Sequence, residues 1–215
     1  MWVDIKPFGE AALLIEWPQV IDKSIFSEIS TLCSTIGSQK IRGVVDIVPA
    51  YASLTIFFAP ELITYDKLVQ IINFSTIESE NTFTESGQVW EIPVSYCHEI
   101  EHDMAFLMEY SGLSHREIIE IHTLPTYDVY FIGFLPGFLY LGGLDERLYI
   151  PRKKAPDLKI SAGSVAVGGV QTGIYPQDSP GGWYVIGYTD FKAIDLYSPP
   201  FCKVKAGDQV KFIQI

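Results

Sequence analysis

The chain has 215 residues, enough for one or two domains of ordinary size. Its 48% hydrophobic content and thirteen phenylalanines indicate a folded protein with a substantial core, while 15 Lys and Arg against 26 Asp and Glu give a net charge of −11 that repels nucleic-acid phosphates. No apolar run approaches the roughly 20 residues that span a bilayer, and Met1-Trp2-Val3-Asp4 lacks the basic start of a secretory signal. The chain is therefore read as soluble and cytoplasmic, with neither nucleic acid nor membrane as a partner.

In chain order, residues 2–6 and 11–16 read as short strands, and residues 20–36 carry Ile21, Ile25, Ile29, Leu32 and Ile36 at helical spacing. Gly37 is the expected stop for that helix. Residues 43–48 and 53–58 are strand-like, residues 66–74 helical, and the polar run 75–88 reads as a linker. Strands interleaved with two helices suit a ferredoxin-like α/β sandwich over residues 1–80. A second domain spans residues 88–215: a strand at 89–94, a helix opened by the capping box Ser114-His115-Arg116-Glu117 and running to Ile121, then short strands and Gly or Pro turns from Tyr127, as in a β-barrel.

Three widely spaced cysteines, Cys33, Cys97 and Cys202, are read as reduced thiols, with Cys33 a small core residue. Cys97 and His98 are adjacent, so on an extended chain they face opposite ways and do not form a nucleophile–base pair. His98 and His102 have metal-binding spacing but no evident third ligand, which favours an exposed structural role; no metal site is assigned.

The segment Ser161–Trp183, SAGSVAVGGVQTGIYPQDSPGGW, holds six glycines and one charged residue, Asp178. Glycine lets a ligand approach the main chain, and Ser161, Ser164, Gln171, Thr172 and Ser179 offer neutral hydrogen-bonding groups. Barrels also place glycine at bends for geometric reasons, and on pattern alone that use ranks first. No G-x-x-x-x-G-K-[ST] phosphate loop occurs. Just upstream, Arg147, Arg152, Lys153, Lys154 and Lys159 face only Asp145, Glu146 and Asp157, a local excess of cations in an acidic protein. Lys154 and Lys159 are read as solvated. His122, at a helix end, has two readings of equal weight: an acid–base group titrating near its ordinary value of about 6.5, or a cation favoured by the helix dipole. The aromatics Tyr127, Tyr130, Phe131, Phe134, Phe138 and Tyr140 are read mainly as core.

These runs resemble the family of KipI and the 5-oxoprolinase B subunit, also called allophanate hydrolase subunit 1. The likeness rests on Phe131–Arg152, the Ala162–Val165, Gly168–Gly173 and Tyr175–Trp183 elements, and Ile186–Thr189, with Gly9–Leu14, Val48–Tyr51 and Ile92–Tyr96 upstream. Against the family pattern, Val170 separates the glycine pair from Gln171, Ser95 replaces a cysteine and Tyr188 replaces an arginine. The resemblance implies a cyclophilin-like barrel and a component of an ATP-dependent 5-oxoprolinase that works with a larger C subunit and with an A subunit. It casts His122, Arg152, Gln171 and Thr172 as catalytic. Lys153, Gly163, Ser164, Gly168, Gly169, Gly173, Tyr175, Ser179, Gly181 and Gly182 become a substrate or partner surface. Two alternatives accompany it: an inhibitor that binds a histidine kinase, and a component of an allophanate hydrolase or urea carboxylase system.

Overall fold

A computed structural model describes residues 3–72, 87–96, 101–195 and 197–215. Most of the stretch read as a linker, and the pair Cys97 and His98, lie outside the described residues. The chain divides into two compact units, Met1–Glu85 and Ser86–Ile215.

In the first unit, β1 (Asp4–Pro7) turns back at Gly9, whose φ of 69° is in the left-handed region, to pair antiparallel with β2 (Ala12–Glu16). Helix α1 (Lys23–Gln39) begins where the Asp22 carboxylate accepts from Ser24 N at 2.7 Å, and it buries Ile25, Phe26, Ile29, Leu32 and Ile36. The expected stop at Gly37 is overturned. Gly37 stays helical, the exposed Gly37-Ser38-Gln39 turn extends the helix, and Lys40 takes the left-handed cap at φ 46°. Strands β3 (Val44–Pro49) and β4 (Ser53–Phe58) and helix α2 (Tyr65–Ile71) follow, giving an all-antiparallel sheet ordered β1-β2-β4-β3. The element order is ββαββα, which departs from βαββαβ. The split unit is nonetheless present, since α1 links β2 to β3 with β4 between them, and the extra strand comes from the N-terminal hairpin. Leu13, Ile15, Leu54 and Ile56 face α1, and Cys33 packs partly buried against that core.

The second unit is a seven-stranded sheet ordered β12-β9-β10-β7-β6-β13-β5. Its strands are β5 (Val89–Val94), β6 (Tyr127–Ile132), β7 (Leu139–Gly142), β9 (Ser164–Gly168), β10 (Gln171–Ile174), β12 (Tyr184–Tyr188) and β13 (Gln209–Gln214). Ser95 and Tyr188, just beyond β5 and at the end of β12, exchange backbone bonds of 2.8 and 2.9 Å and join the two edges. The sheet is thus a nearly closed barrel, which leaves little edge unpaired. A separate ribbon pairs β8 (Asp157–Ile160) with β11 (Ser179–Gly181).

Two helices connect β5 to β6. Helix α4 (His115–Thr123) has the expected capping box, with Ser114 N donating to Glu117 Oε2 at 2.8 Å and Glu117 N to Ser114 Oγ at 3.3 Å. Helix α3 (Glu101–Ser111) has no counterpart in the sequence reading. Met104 and Leu107 are buried while Phe106 and Tyr110 are exposed, so large apolar residues encircle it and blur the one-sided pattern. The barrel interior holds Val129, Leu141, Val167, Ile186 and Phe212.

Candidate functional site: two clefts on one ribbon

Lys153 N donates to Gly182 O at 2.8 Å and pins the run Pro151-Arg152-Lys153 against Gly182-Trp183-Tyr184. Successive side chains then fall on opposite sides. Arg152 lies over the Trp183 ring, 5.6 Å from its centroid, and Lys153 lies over Tyr184 at 5.1 Å. Each cation–aromatic pair forms the wall of its own cleft.

The first cleft encloses about 270 Å³ between Phe134, Phe138, Tyr140, Arg152 and Trp183. Its rings interlock edge to face, with Phe138 5.5 Å from Trp183 and 5.7 Å from Phe134. Phe134 stands at a φ of 67°, a strained conformation for a non-glycine residue, and is largely exposed. Tyr175 closes the base; burial, reinforced by Tyr140, pushes its hydroxyl up to about 12, so this wall is uncharged at neutral pH. Arg152 is exposed and forms no ion pair among the described residues. The cleft is apolar with a single guanidinium at its rim.

The second cleft, of about 560 Å³, includes Asp103, Lys153, Lys154, Asp157, Lys159 and Ser164 in its lining. Lys153 Nζ sits 2.6 Å from Asp103 Oδ1 and 2.5 Å from Asp157 Oδ2, and Asp103 Oδ2 also accepts from Val185 N at 2.8 Å. Burial alone would lower the Lys153 ammonium, but the two carboxylates outweigh it and the net shift is upward. The anion contact expected of Lys153 is therefore taken by the protein's own carboxylates. Elsewhere in the basic run Arg147 pairs with Asp145 at 2.7 Å and Lys159 with Asp178 at 2.8 Å. The Arg147 guanidinium holds Asp145 down at about 2.

His122 is wholly buried, with Nδ1 2.7 Å from Tyr96 Oη and Nε2 2.9 Å from Thr172 Oγ1. The Thr172 hydroxyl donates to Ala166 O at 3.1 Å, so it accepts from His122 Nε2–H, and Tyr96 donates to the bare Nδ1. The ring stacks on Phe212 at 4.7 Å. Burial lowers its pKa to about 3. Both sequence readings of His122 invoked a protonatable group at a helix end. The helix end is where they put it, but the ring points into the barrel and stays neutral, tying α4 to β10.

The glycine-rich segment is mostly packed. A Cβ on Gly168 would lie 2.5 Å from the Trp183 ring, on Gly173 2.6 Å from Leu139 O, and on Gly163 2.4 Å from Thr189 O. Gly169, at φ 65°, turns β9 into β10. Ser164, Gln171, Thr172 and Ser179 are buried. Among the predicted surface residues, Tyr175, Gly181 and Gly182 join Arg152 at the aromatic cleft, while Ser164 and Lys153 line the basic one. Asp103 and Trp183 are absent from the expected site. Trp183 ends the glycine-rich segment and its ring was available as a signal, whereas Asp103 meets Lys153 across 50 residues on a helix the pattern hid. His102 is fully exposed beside it, and among the described residues no group of three His, Cys, Asp or Glu could hold a metal ion.

Three comparisons bear on this geometry. The description "Carboxyltransferase domain, subdomain C and D" matches residues 3–204. The B subunit of 5-oxoprolinase from Bacillus subtilis is 33% identical, covering 98% of this chain and 92% of that protein, and its Haemophilus influenzae counterpart is 35% identical, covering 98% and 97%. The crystal structure of TTHA0988 superposes with a TM-score of 0.83 at 29% identity, over 95% of this chain. The chain spans 40% of that longer protein.

Proposed function

The chain belongs to the carboxyltransferase domain, subdomain C and D family, with relatives named as the B subunit of 5-oxoprolinase, and we propose that it is itself the B subunit of an ATP-dependent 5-oxoprolinase. The observation that carries this reading is the aromatic cleft with one guanidinium at its rim. 5-Oxoproline is a small, largely apolar lactam ring bearing a carboxylate. Arg152 grips the carboxylate through two parallel N–H···O bonds, and the rings of Phe138, Tyr140 and Trp183 receive the lactam and exclude water.

An unactivated amide is a poor electrophile. In the proposed reaction the lactam oxygen takes the γ-phosphoryl group of ATP and ADP leaves. Water then attacks the activated carbon, the ring C–N bond opens to leave an acyl phosphate, and a second water hydrolyses it, giving glutamate and phosphate. Arg152 orients the substrate; His122, Gln171 and Thr172 act at one remove by fixing β10. The nucleophilic and phosphate-handling groups come from the C and A subunits, consistent with TTHA0988, where the region that superposes on this chain is 40% of a longer protein. Gly163, Gly181 and Gly182 form the border a partner covers. In this reading the first unit is a ferredoxin-like sandwich with rearranged strand order, the second is a cyclophilin-like barrel, and the hetero-oligomer works in the cytoplasm, where Cys33 and Cys202 remain reduced thiols.

The test is 5-oxoproline-dependent phosphate release and glutamate formation by the purified chain, alone and mixed with candidate A and C subunits. Activity confined to the full mixture is expected. Components that assemble yet open no lactam would refute the proposal, and inhibition of a histidine kinase by the same preparation would replace it.

A further inference from the structure

The basic cleft on the other side of the ribbon plays no part in lactam binding, and its chemistry differs. Its lining offers two lysines beyond the internally paired Lys153. Lys154 is exposed, and Lys159 is held only by a surface pair with Asp178, the two side chains 68% and 53% exposed. A pair so exposed is worth little, so Lys159 exchanges Asp178 for a better anion at small cost. The opposing wall is aromatic: Tyr184 is stacked under Phe106 at 5.0 Å, and Tyr188 is 37% exposed with no ring partner among the described residues. Between the walls lies Ser164, whose hydroxyl is fully buried and has no hydrogen-bond partner among the described residues. A buried hydroxyl without a partner costs about 1–3 kcal/mol. A retained cost of that kind at the lining of a cleft marks a group waiting for a ligand.

We infer that this cleft is a second ligand site, which takes a nucleoside phosphate. The phosphates meet Lys154, Lys159 and the Ser164 hydroxyl, and the base stacks on Tyr188. Its volume of about 560 Å³ suits a ligand of that size. Asp103 and Asp157 also face the cleft; Lys153 offsets one of their two charges, and Lys154 and Lys159 leave the lining with a net charge of +1. Arg152 and Lys153 lie on opposite sides of the ribbon, so phosphate bound here is not presented to the aromatic cleft. The site is separate from the lactam chemistry and stands whether or not the oxoprolinase reading does.

Calorimetric titration of the purified chain with ATP, AMP, tripolyphosphate and adenosine tests this, with thermal unfolding of each variant alongside. ATP is expected to bind one to one, tighter than tripolyphosphate and far tighter than adenosine. The double change Lys154→Gln and Lys159→Gln weakens it about 100-fold, taking roughly tenfold for each charged hydrogen bond lost. Ser164→Ala gives the sharpest signature: it weakens ATP while leaving the ligand-free protein as stable as before or more so. A hydroxyl that merely holds a structural water would instead lose stability and leave ATP binding unchanged, which overturns the proposal. Absence of ATP binding, or binding lost with Arg152→Gln and kept in the lysine double variant, overturns it too. If tripolyphosphate binds as tightly as ATP, Tyr188 contributes nothing and the nucleoside assignment fails.

Discussion

Lowering the pH from 7 to 5 is expected to destabilise the second unit through His122 alone by about 2 kcal/mol. The folded imidazole is held near 3 by burial, while in the unfolded chain it returns to 6.5. Between those values the unfolded chain binds a proton that the native protein refuses. Stability therefore rises with pH across that window and is flat above it. At pH 5 the unfolded form is almost fully protonated and the native form almost fully neutral; the population ratio gives about 2 kcal/mol relative to pH 7. Over the whole window the loss reaches about 5 kcal/mol. The comparison protein is His122→Phe, which keeps the stacking on Phe212 and gives up the proton site. Leaving Tyr96 Oη without its acceptor costs about 1–3 kcal/mol at either pH and does not enter the difference. Urea unfolding at pH 5 and pH 7, followed through the amide signals of β6 and β13, measures the pH dependence of both proteins. Other carboxylates and histidines contribute equally to the two and cancel. If the variant shows the same pH dependence as the parent, the neutral buried imidazole is wrong.

Three further outcomes are expected. Lys153→Met costs about 2–3 kcal/mol in urea unfolding, below the 3–5 of a fully buried pair, because the Lys153 and Asp103 side chains remain 13% and 11% exposed and Asp103 keeps the Val185 N–H. Adding Asp103→Asn restores part of that loss. Gly173→Ala costs about 3 kcal/mol, since its Cβ would meet the Leu139 carbonyl at 2.6 Å and backbone cannot yield as a side chain does. Gly169→Ala, with open space but φ 65°, costs only about 1 kcal/mol by the same measurement. Arg152→Gln, assayed in the reconstituted complex, raises the KM for 5-oxoproline about tenfold or more without moving the unfolding midpoint.

Much of the architecture was legible because it is written in local pattern. The 3.6-residue spacing of Ile25, Ile29, Leu32 and Ile36 marks α1, and the Ser114 and Glu117 box marks the start of α4. What escaped depends on contacts between distant residues. Helix α3 presents Phe106 to Tyr184 and Asp103 to Lys153, so its outward residues look apolar or charged for reasons that lie 50 to 80 positions away. The end of α1 was misplaced because glycine permits a left-handed cap without requiring one. For the site, residue identities were readable and their surroundings were not. His122 sits at the predicted helix end, but only the fold reveals that Phe212, Tyr96 and Thr172 surround its ring.

The basic pair Arg152–Lys153 shows why a charge cluster does not state where it acts. In sequence the two cations are neighbours and invite one anion. In the fold a single backbone bond, Lys153 N to Gly182 O, sets the register of their run against Trp183 and Tyr184, and alternation sends them to different clefts with different partners. A slip of one residue in that register would exchange them. Arg152 would then face Asp103 and Asp157, where a guanidinium too long for the ammonium's place must displace the carboxylates, and Lys153 would lose both partners against the aromatic wall. The consequences of the two substitutions are accordingly of different kinds. Under the proposed function, removing the Arg152 charge alters binding and leaves stability alone, because its carboxylate partner would arrive with the ligand. Removing the Lys153 charge alters stability, because its carboxylates are already built into the protein.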